Sequence, residues 1–278
     1  MRIRLIFWLR NRGAVIPFHH QHLLYGMVSD ILKEHTDKPA WEYLNFSGLK
    51  GQTKVTPGGL SFLSSKVTLV FSASSKGLVE EFIHNVFQRD TIRLDEMILV
   101  PESVAIEEEP ALGEAVKYVC ISPLIIASER IAQLDLKKFI SPEIDTFSDL
   151  LYESTMSRME HSGLYSPQQI QDFFKFQVVP DDSYLDKIKH EHKKFARIYN
   201  VDGEGYGEEV RGYTMPFTLF AHPEVQHFVF NSGLGEYTYK GFGMIDLADE
   251  NFQSRLTPYE IKSEVTIQSN YRSREKVV

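Results

Sequence analysis

One order of elements, strand, helix, two strands, helix, strand, occurs twice along this sequence and predicts an α+β chain. Three observations carry that prediction. Apolar residues alternate from Arg2 to Arg10 and then recur at helical spacing from about His20 to Glu34. The same order returns after an acidic break at Glu107-Glu108-Glu109-Pro110, which reads as a linker or exposed turn. A length of 278 residues, 42% of them hydrophobic, suffices for two small cores. The order is that of the ferredoxin-like (RRM-like) βαββαβ domain, so the expected division is an N-terminal domain over 1–112 and a C-terminal domain with insertions over 113–278.

In the first half, Ile3, Leu5, Phe7 and Leu9 alternate with Arg2, Arg4 and Arg10, as in a strand with one buried face. Leu23, Leu24, Met27, Val28, Ile31 and Leu32 form the stripe of an amphipathic helix. Gln52 to Val55 reads as a short strand before the turn Pro57-Gly58-Gly59, and Val67, Leu69 and Phe71 as another. Leu78, Val79, Phe82, Ile83, Val86 and Phe87 make a second helix, and Ile92 to Ile106 extends as the last strand, with Pro101 a place for a break. In the second half, Tyr118 to Ile126 is a strand and Asp145 to Met159 a helix. Ser166 and Pro167 read as cap and first residue of a helix to Phe174. Strands at Phe176 to Val179 and Tyr213 to Phe220 follow, then a short helix at Pro223 to Asn231 and a strand at Gly241 to Leu247. From about residue 250 the chain is polar and predicts a frayed tail or an added edge element.

No run of about 18 apolar residues is present, which argues against a membrane span, and Met1-Arg2-Ile3-Arg4 leads into a strand rather than a secretory leader. A single cysteine, Cys120, forbids disulfides within the chain and fits the cytoplasm. The formal charge of −8 argues against a generally basic nucleic-acid binder, so an RNA surface would be a local patch. One candidate patch is Lys187, Lys189, Lys193, Lys194 and Arg197 with His190 and His192; the alternative is a solvated helix face.

The stretch Gly233 to Gly243, Gly-Leu-Gly-Glu-Tyr-Thr-Tyr-Lys-Gly-Phe-Gly, holds four glycines in eleven residues. Such a loop can expose successive N–H groups to phosphate oxygens. It lacks the Lys-Ser/Thr ending of a nucleotide-triphosphate loop, and it follows a helix and precedes a strand, the reverse of a dinucleotide-binding turn. A plain helix-to-strand connection is the alternative. The spacing Gly-apolar-Gly, five residues, Gly-Phe-Gly resembles the signature loop of the CRISPR-associated endoribonucleases of the RAMP superfamily, which cut precursor CRISPR RNA within its repeats. With the N-terminal strand, Ile16-Pro17-Phe18-His19-His20-Gln21-His22 and Ile121-Ser122-Pro123-Leu124, the resemblance covers most of the chain. It implies two tandem ferredoxin-like domains with a cleft between them, no cofactor and no metal. The expected partner is CRISPR repeat RNA, alongside other subunits of a CRISPR effector complex, with no membrane, in a monomer or homodimer. The expected RNA-binding residues are Gly233, Gly235, Lys240, Gly241, Gly243, Lys189, Lys193, Lys194 and Arg197.

RNA cleavage without a metal uses the neighbouring 2′-hydroxyl as nucleophile and leaves a 2′,3′-cyclic phosphate and a 5′-hydroxyl. The protein must supply a base for that hydroxyl and an acid for the departing oxygen, and histidine titrates where this works. Candidates are His19, His20, His22 and His35. His22, Tyr25 and Ser29 share a polar ridge, whereas His20 falls nearer the apolar side and reads as a histidine bonded inside the fold. The tyrosine, histidine and lysine that form the catalytic set in relatives fall here on Ser29, Asn45 and Lys50, so only the lysine is retained. The expected set is His35 as base or acid with Lys50 stabilising the phosphate, and His22 as second choice. Asn45 would suit a rival, a non-catalytic RNA-binding subunit of an effector complex. An unrelated enzyme on the same fold is a more distant alternative.

Overall fold

The architecture is built around the first strand, β1 (Arg2–Leu9), which pairs antiparallel on both sides. The computed structural model describes residues 1–35, 39–126, 140–192, 195–203 and 208–261. The first sheet runs in the order β16 (Leu256–Pro258), β8 (Met97–Glu107), β1, β6 (Lys66–Ala73), β3 (Leu44–Phe46), and β7 (Ile92–Leu94) forms a hairpin with β8. The apolar stripes of α1 (Gln21–Ile31) and α2 (Lys76–Phe87) pack with Ile3, Leu5, Phe7, Leu69 and Phe71 into one core. Ser75 caps α2 by accepting from the Leu78 N–H at 3.3 Å. The order β1, α1, β3, β6, α2, β8 is the ferredoxin-like pattern.

The pattern repeats as β9 (Ala115–Cys120), α3 (Asp145–His161), β11 (Phe176–Pro180), β14 (Pro216–Ala221), a helix at Pro223–Ser232 and β15 (Ile245–Leu247), in the sheet order β11-β14-β9-β15. Two further helices flank β11: α4 (Pro167–Asp172), opened by a Ser166/Gln169 capping box, before it and α5 (Asp182–His190) after it, so that Pro223–Ser232 is α6. Two small sheets are inserted, β2 (Val15–Ile16)-β5 (Gly59–Phe62)-β4 (Thr53–Thr56) from the first half and β10 (Leu124–Ile125)-β13 (Glu209–Tyr213)-β12 (Ala196–Asn200) from the second. The fold is thus two tandem ferredoxin-like units, and the polar C-terminal segment supplies β16 as an added edge strand on the first sheet.

Several elements differ from the sequence reading. Pro101 does not break β8; the pairing shifts there, with Ile6 opposite Ser103 and Phe7 opposite Pro101, which is a bulge. The break falls earlier, at Asp95 with φ 51°, where β7 turns into β8. Tyr118 to Ile126 divides into β9 and β10, because Ser122 and Pro123 leave the sheet to accept the N–H groups of Met244 and Gly243, both at 2.7 Å.

The largest correction concerns β1 and Glu107. Arg2 and Arg4 were expected on an open face, and Glu107 in an exposed linker, yet they are 2%, 3% and 4% exposed. The second face of the first sheet is covered by the second unit, and the charges pair across that junction. Arg4 donates to Glu107 at 2.8 Å and to Asp246 at 2.7 Å, Arg2 donates to the carbonyls of Phe230 and Ile245, and Arg255 donates to Glu107 at 2.9 Å. Burial opposes ionisation of Asp246, but Arg2 and Arg4 overcome it and hold its pKa below the ordinary value. Such a network tolerates few relative placements of the two units, since breaking one pair leaves a buried charge uncompensated.

Candidate nucleic-acid interface

A cleft lined by residues of both units begins at the N-terminus of α1. Phe18 lines two cavities there. The narrow one, of 140 Å³, is bounded by His20, Gln21, Gly48, Lys50, Ser122, Pro123 and Tyr199. The wide one, of 710 Å³, lies between the two inserted sheets, with Val55 and Leu60 on one wall and Arg197, Ile198 and Arg211 on the other. Tyr199 reaches the narrow part because Gly212, on the neighbouring strand, leaves room for its ring; a Cβ at Gly212 would stand 2.7 Å from it. His19 meets the same ring edge-on at 4.8 Å.

Two histidines of the candidate set line this cleft, His19 in the wide part and His20 in the narrow part beside Lys50. The Nδ1 of His20 lies 3.0 Å from the carbonyl oxygen of Pro17. A carbonyl can only accept, so Nδ1 carries the proton and Nε2 keeps its lone pair. Nε2 is buried and makes no hydrogen bond within the protein. Burial, the largest influence, lowers the His20 pKa, against a smaller opposing effect of the Pro17 carbonyl. Lys50 is exposed at the same cavity, its backbone tied to Thr68 by two hydrogen bonds of 2.9 Å. Desolvation by the surrounding protein lowers the pKa of its ammonium, despite the attraction of Asp246.

The other expected catalytic residues stand elsewhere. His35 lies beyond the C-terminal end of α1, its Nδ1 2.6 Å from the Glu81 carboxylate of α2. It is not brought together with Lys50. His22 is half-buried beside Gly203 and does not line the narrow cavity. Asn45 is completely buried, with its Oδ1 accepting the Phe46 N–H at 2.6 Å.

The glycine loop differs from the phosphate cradle that its composition suggested. Gly233, Gly235, Gly241 and Gly243 all have φ between 67° and 85° and are all buried. A Cβ at these positions would overlap Asn45, the Ile125 carbonyl, Phe46 with Gln21, and the Leu234 carbonyl respectively. The N–H groups of Gly233, Leu234, Glu236, Gly241 and Gly243 already donate to protein carbonyls. The glycines therefore seat the loop against α1, β3 and β10. Gln21 donates to the Gly241 carbonyl, and Arg158 donates to those of Ser232 at 2.6 Å and Gly233 at 2.8 Å. Between the glycines lies a 3-10 turn, Thr238–Lys240, in which Thr238 is buried and Tyr239 and Lys240 are half-buried. Lys240 is ion-paired with Asp202 and lies 5.6 to 5.9 Å from the rings of Tyr25, Tyr237 and Tyr239.

The basic patch divides. Lys187 and Lys189 are exposed on α5, where Lys189 pairs with Glu143 at 2.9 Å, and only Arg197 lines the cleft. Lys193 and Lys194 lie outside the described residues. Sequence reasoning missed Tyr199 and Arg211. The glycine between Arg211 and Tyr213, inside a strand, was the available signal of a close approach.

Residues 106–247, a little over half of the chain, match the family described as CRISPR associated protein Cas6, C-terminal. A protein of Pyrococcus furiosus named CRISPR-associated endoribonuclease-like protein Cas6 is 20% identical over 260 residues, which cover 90% of this chain and 100% of that protein. Two solved structures superpose with TM-scores of 0.72. One, described as a Cas6-related gene product from Pyrococcus furiosus, is 18% identical and shares 90% of this chain and 99% of its own. The other, described as a RAMP protein binding different RNA substrates, is 19% identical over 90% of this chain and 100% of its own. No helix among the described residues is long and apolar enough to cross a membrane. The family match takes in the second sheet, the glycine loop and one wall of the cleft, and on it the chain belongs to the CRISPR-associated protein Cas6 family.

Proposed function

We propose that this protein is a metal-independent endoribonuclease of the cytoplasm that cuts precursor CRISPR RNA within its repeats. The observation that carries the reading is His20: an imidazole with its tautomer fixed by Pro17, its Nε2 without a hydrogen-bond partner in the protein, on the wall of a cavity shared with Lys50. In the reaction, Nε2 takes the proton of the 2′-hydroxyl, O2′ bonds to phosphorus, and the bond from phosphorus to O5′ breaks. Lys50 stabilises charge on the phosphate oxygens, and its ammonium, made more acidic by desolvation, supplies the proton that O5′ needs. The products are a 2′,3′-cyclic phosphate and a 5′-hydroxyl, and proton exchange with solvent restores both groups. Arg197 and Arg211 bind phosphates along the wide part of the cleft. This moves the catalytic assignment from His35 and His22 to His20, with Lys50 kept, and the glycines from phosphate contact to positioning of the loop. The division at 112 and 113 is proposed for the two units, with β16 returning to the first.

The rival reading, a non-catalytic RNA-binding subunit, rests on Asn45, where relatives carry histidine. Asn45 is buried against Gly233, so its identity bears on packing rather than on contact with RNA. Labelled repeat RNA, incubated with the protein in a chelator, decides between the two. Cleavage to the stated ends, with a strand carrying a 2′-deoxy sugar at the cut site bound but whole, supports the nuclease. Tight binding with no cleavage, with or without divalent ions, supports the rival.

A further inference from the structure

We propose that the cavity between the glycine loop and α1 binds one unpaired guanine base of the RNA, which deepens the RNA reading above and rests on it. The cavity, of 410 Å³, is lined by Tyr25, Trp41, Tyr237 and Tyr239 with the carboxylates of Glu42 and Glu236, and by Thr238 and Arg158, whose guanidinium interacts with Glu236. Such a volume lies within the range of small-ligand pockets, roughly 300 to 1,000 Å³. Tyr25 lies one helical turn beyond Gln21, which lines the narrow cavity, so the two cavities flank the same end of α1. The proposal places one RNA strand across both.

The aromatic walls are held in place before any ligand arrives. The 3-10 turn Thr238–Lys240 is bracketed by two left-handed residues, Tyr237 with φ 55° and Gly241 with φ 85°. A non-glycine residue in that conformation costs free energy, and here the surroundings enforce it. The Tyr237 hydroxyl donates to Glu208 at 2.5 Å, Tyr239 meets Tyr25 edge-on at 6.1 Å, and Arg158 clamps the carbonyls at the loop's start. Arg158 spends both its Nη atoms on those carbonyls, so it is a clamp rather than a base reader.

Aromatic rings in a cavity stack bases without regard to sequence. The carboxylates add the choice. Guanine offers N1–H and an N2 amino hydrogen side by side, matching the two oxygens of one carboxylate. Adenine and cytosine offer a single amino group on that edge, and uracil offers a single N3–H flanked by two carbonyl oxygens that the negative charge repels.

The chain has two tryptophans, Trp8 and Trp41, so a Trp8→Phe background leaves Trp41 as the reporter inside the cavity. In that background the 11-mers U5GU5, U5AU5, U5CU5 and U11 are titrated in a chelator. U5GU5 is expected to quench Trp41 and to bind about tenfold tighter than U11. Tyr239→Ala should bring U5GU5 down to the affinity of U11, Tyr239→Phe should restore it, and Glu236→Gln should remove the preference while leaving U11 unchanged. Each variant is checked for an unaltered thermal midpoint. Equal binding of all four oligomers, absence of binding, or a guanine preference that survives Tyr239→Ala overturns the inference. A protein that prefers U5GU5 but leaves repeat RNA whole sinks the nuclease reading instead and leaves the guanine pocket standing.

Discussion

Two histidines stand at opposite ends of α1, separated by an 11-residue helix about 16 Å long, and they are held in different ways. His20 gives its Nδ1 proton to a backbone carbonyl at the mouth of the cleft. His35 sets its Nδ1 against a carboxylate of α2, in the packing between the two helices. Both flank one helix and have a partner on the same ring nitrogen. The first shares a cavity with Lys50. The Nε2 atoms of both are buried without a hydrogen-bond partner, so the difference teaches that a catalytic assignment depends on which cavity the ring lines, which spacing along the chain does not state.

The strongest way to break that contrast is to remove His20. His20→Ala should lower the single-turnover cleavage rate by about 100- to 10,000-fold, the usual worth of a positioned base, with repeat affinity nearly unchanged. Normal cleavage by this variant would move the base elsewhere. The pH dependence sharpens the point. Because burial lowers the His20 pKa, the neutral base persists below the ordinary imidazole value, and the acid limb of the rate profile should lie below pH 6.5. The same shift means that the folded state resists protonation more than the unfolded chain does. Its contribution to stability is therefore intact above pH 6.5 and is lost as pH falls from there through the folded pKa.

Disturbing the end of α1 that carries His20, and not the His35 end, comes next. Gly241→Ala puts a Cβ at φ 85° into Phe46 and into Gln21, the residue beside His20. The left-handed backbone costs about 1 to 2 kcal/mol and the overpacking about 1 to 3 more, so the thermal midpoint should fall clearly. At temperatures where the variant stays folded, displacement of His20 should slow cleavage on the order of 100-fold. A variant with wild-type midpoint and rate would show that the loop does not hold this end of the helix.

The cleft's cations give a smaller, graded effect. Arg197→Ala should reduce the slope of log affinity against log salt by about one unit, as for one phosphate contact, whereas Lys189→Ala, paired with Glu143 on α5, should leave the slope alone. The reverse result would put the RNA on α5. The smallest effect is expected from His35→Ala: cleavage within about twofold of the unmodified protein, and a loss of about 1 kcal/mol of stability from the Glu81 hydrogen bond, read by denaturant titration. A loss of cleavage as large as that for His20→Ala would reverse the comparison.

Most of the secondary structure was legible in the sequence, because hydrophobic period is a local property: the stripe of α2 and the alternation of β6 each lie within a dozen residues. The demand for glycine at 233, 235, 241 and 243 was legible too, and all four have positive φ. The purpose of those glycines was not, since a run of glycines looks the same whether it opens toward phosphate or closes against Asn45, Phe46 and Ile125. Alternation along β1 likewise announced one buried face and left the other undetermined. Only tertiary packing brought Asp246 against Arg4 from 242 positions away, turning three residues expected at the surface into a buried charge network. His20 follows the same logic. Its place near the apolar side of the helix was right, but whether that side is filled by core or opens on a cleft depends on Gly48, Ser122 and Tyr199, which the chain delivers from three distant segments. Periodicity fixes which residues leave water; which partners they meet is decided by long-range packing.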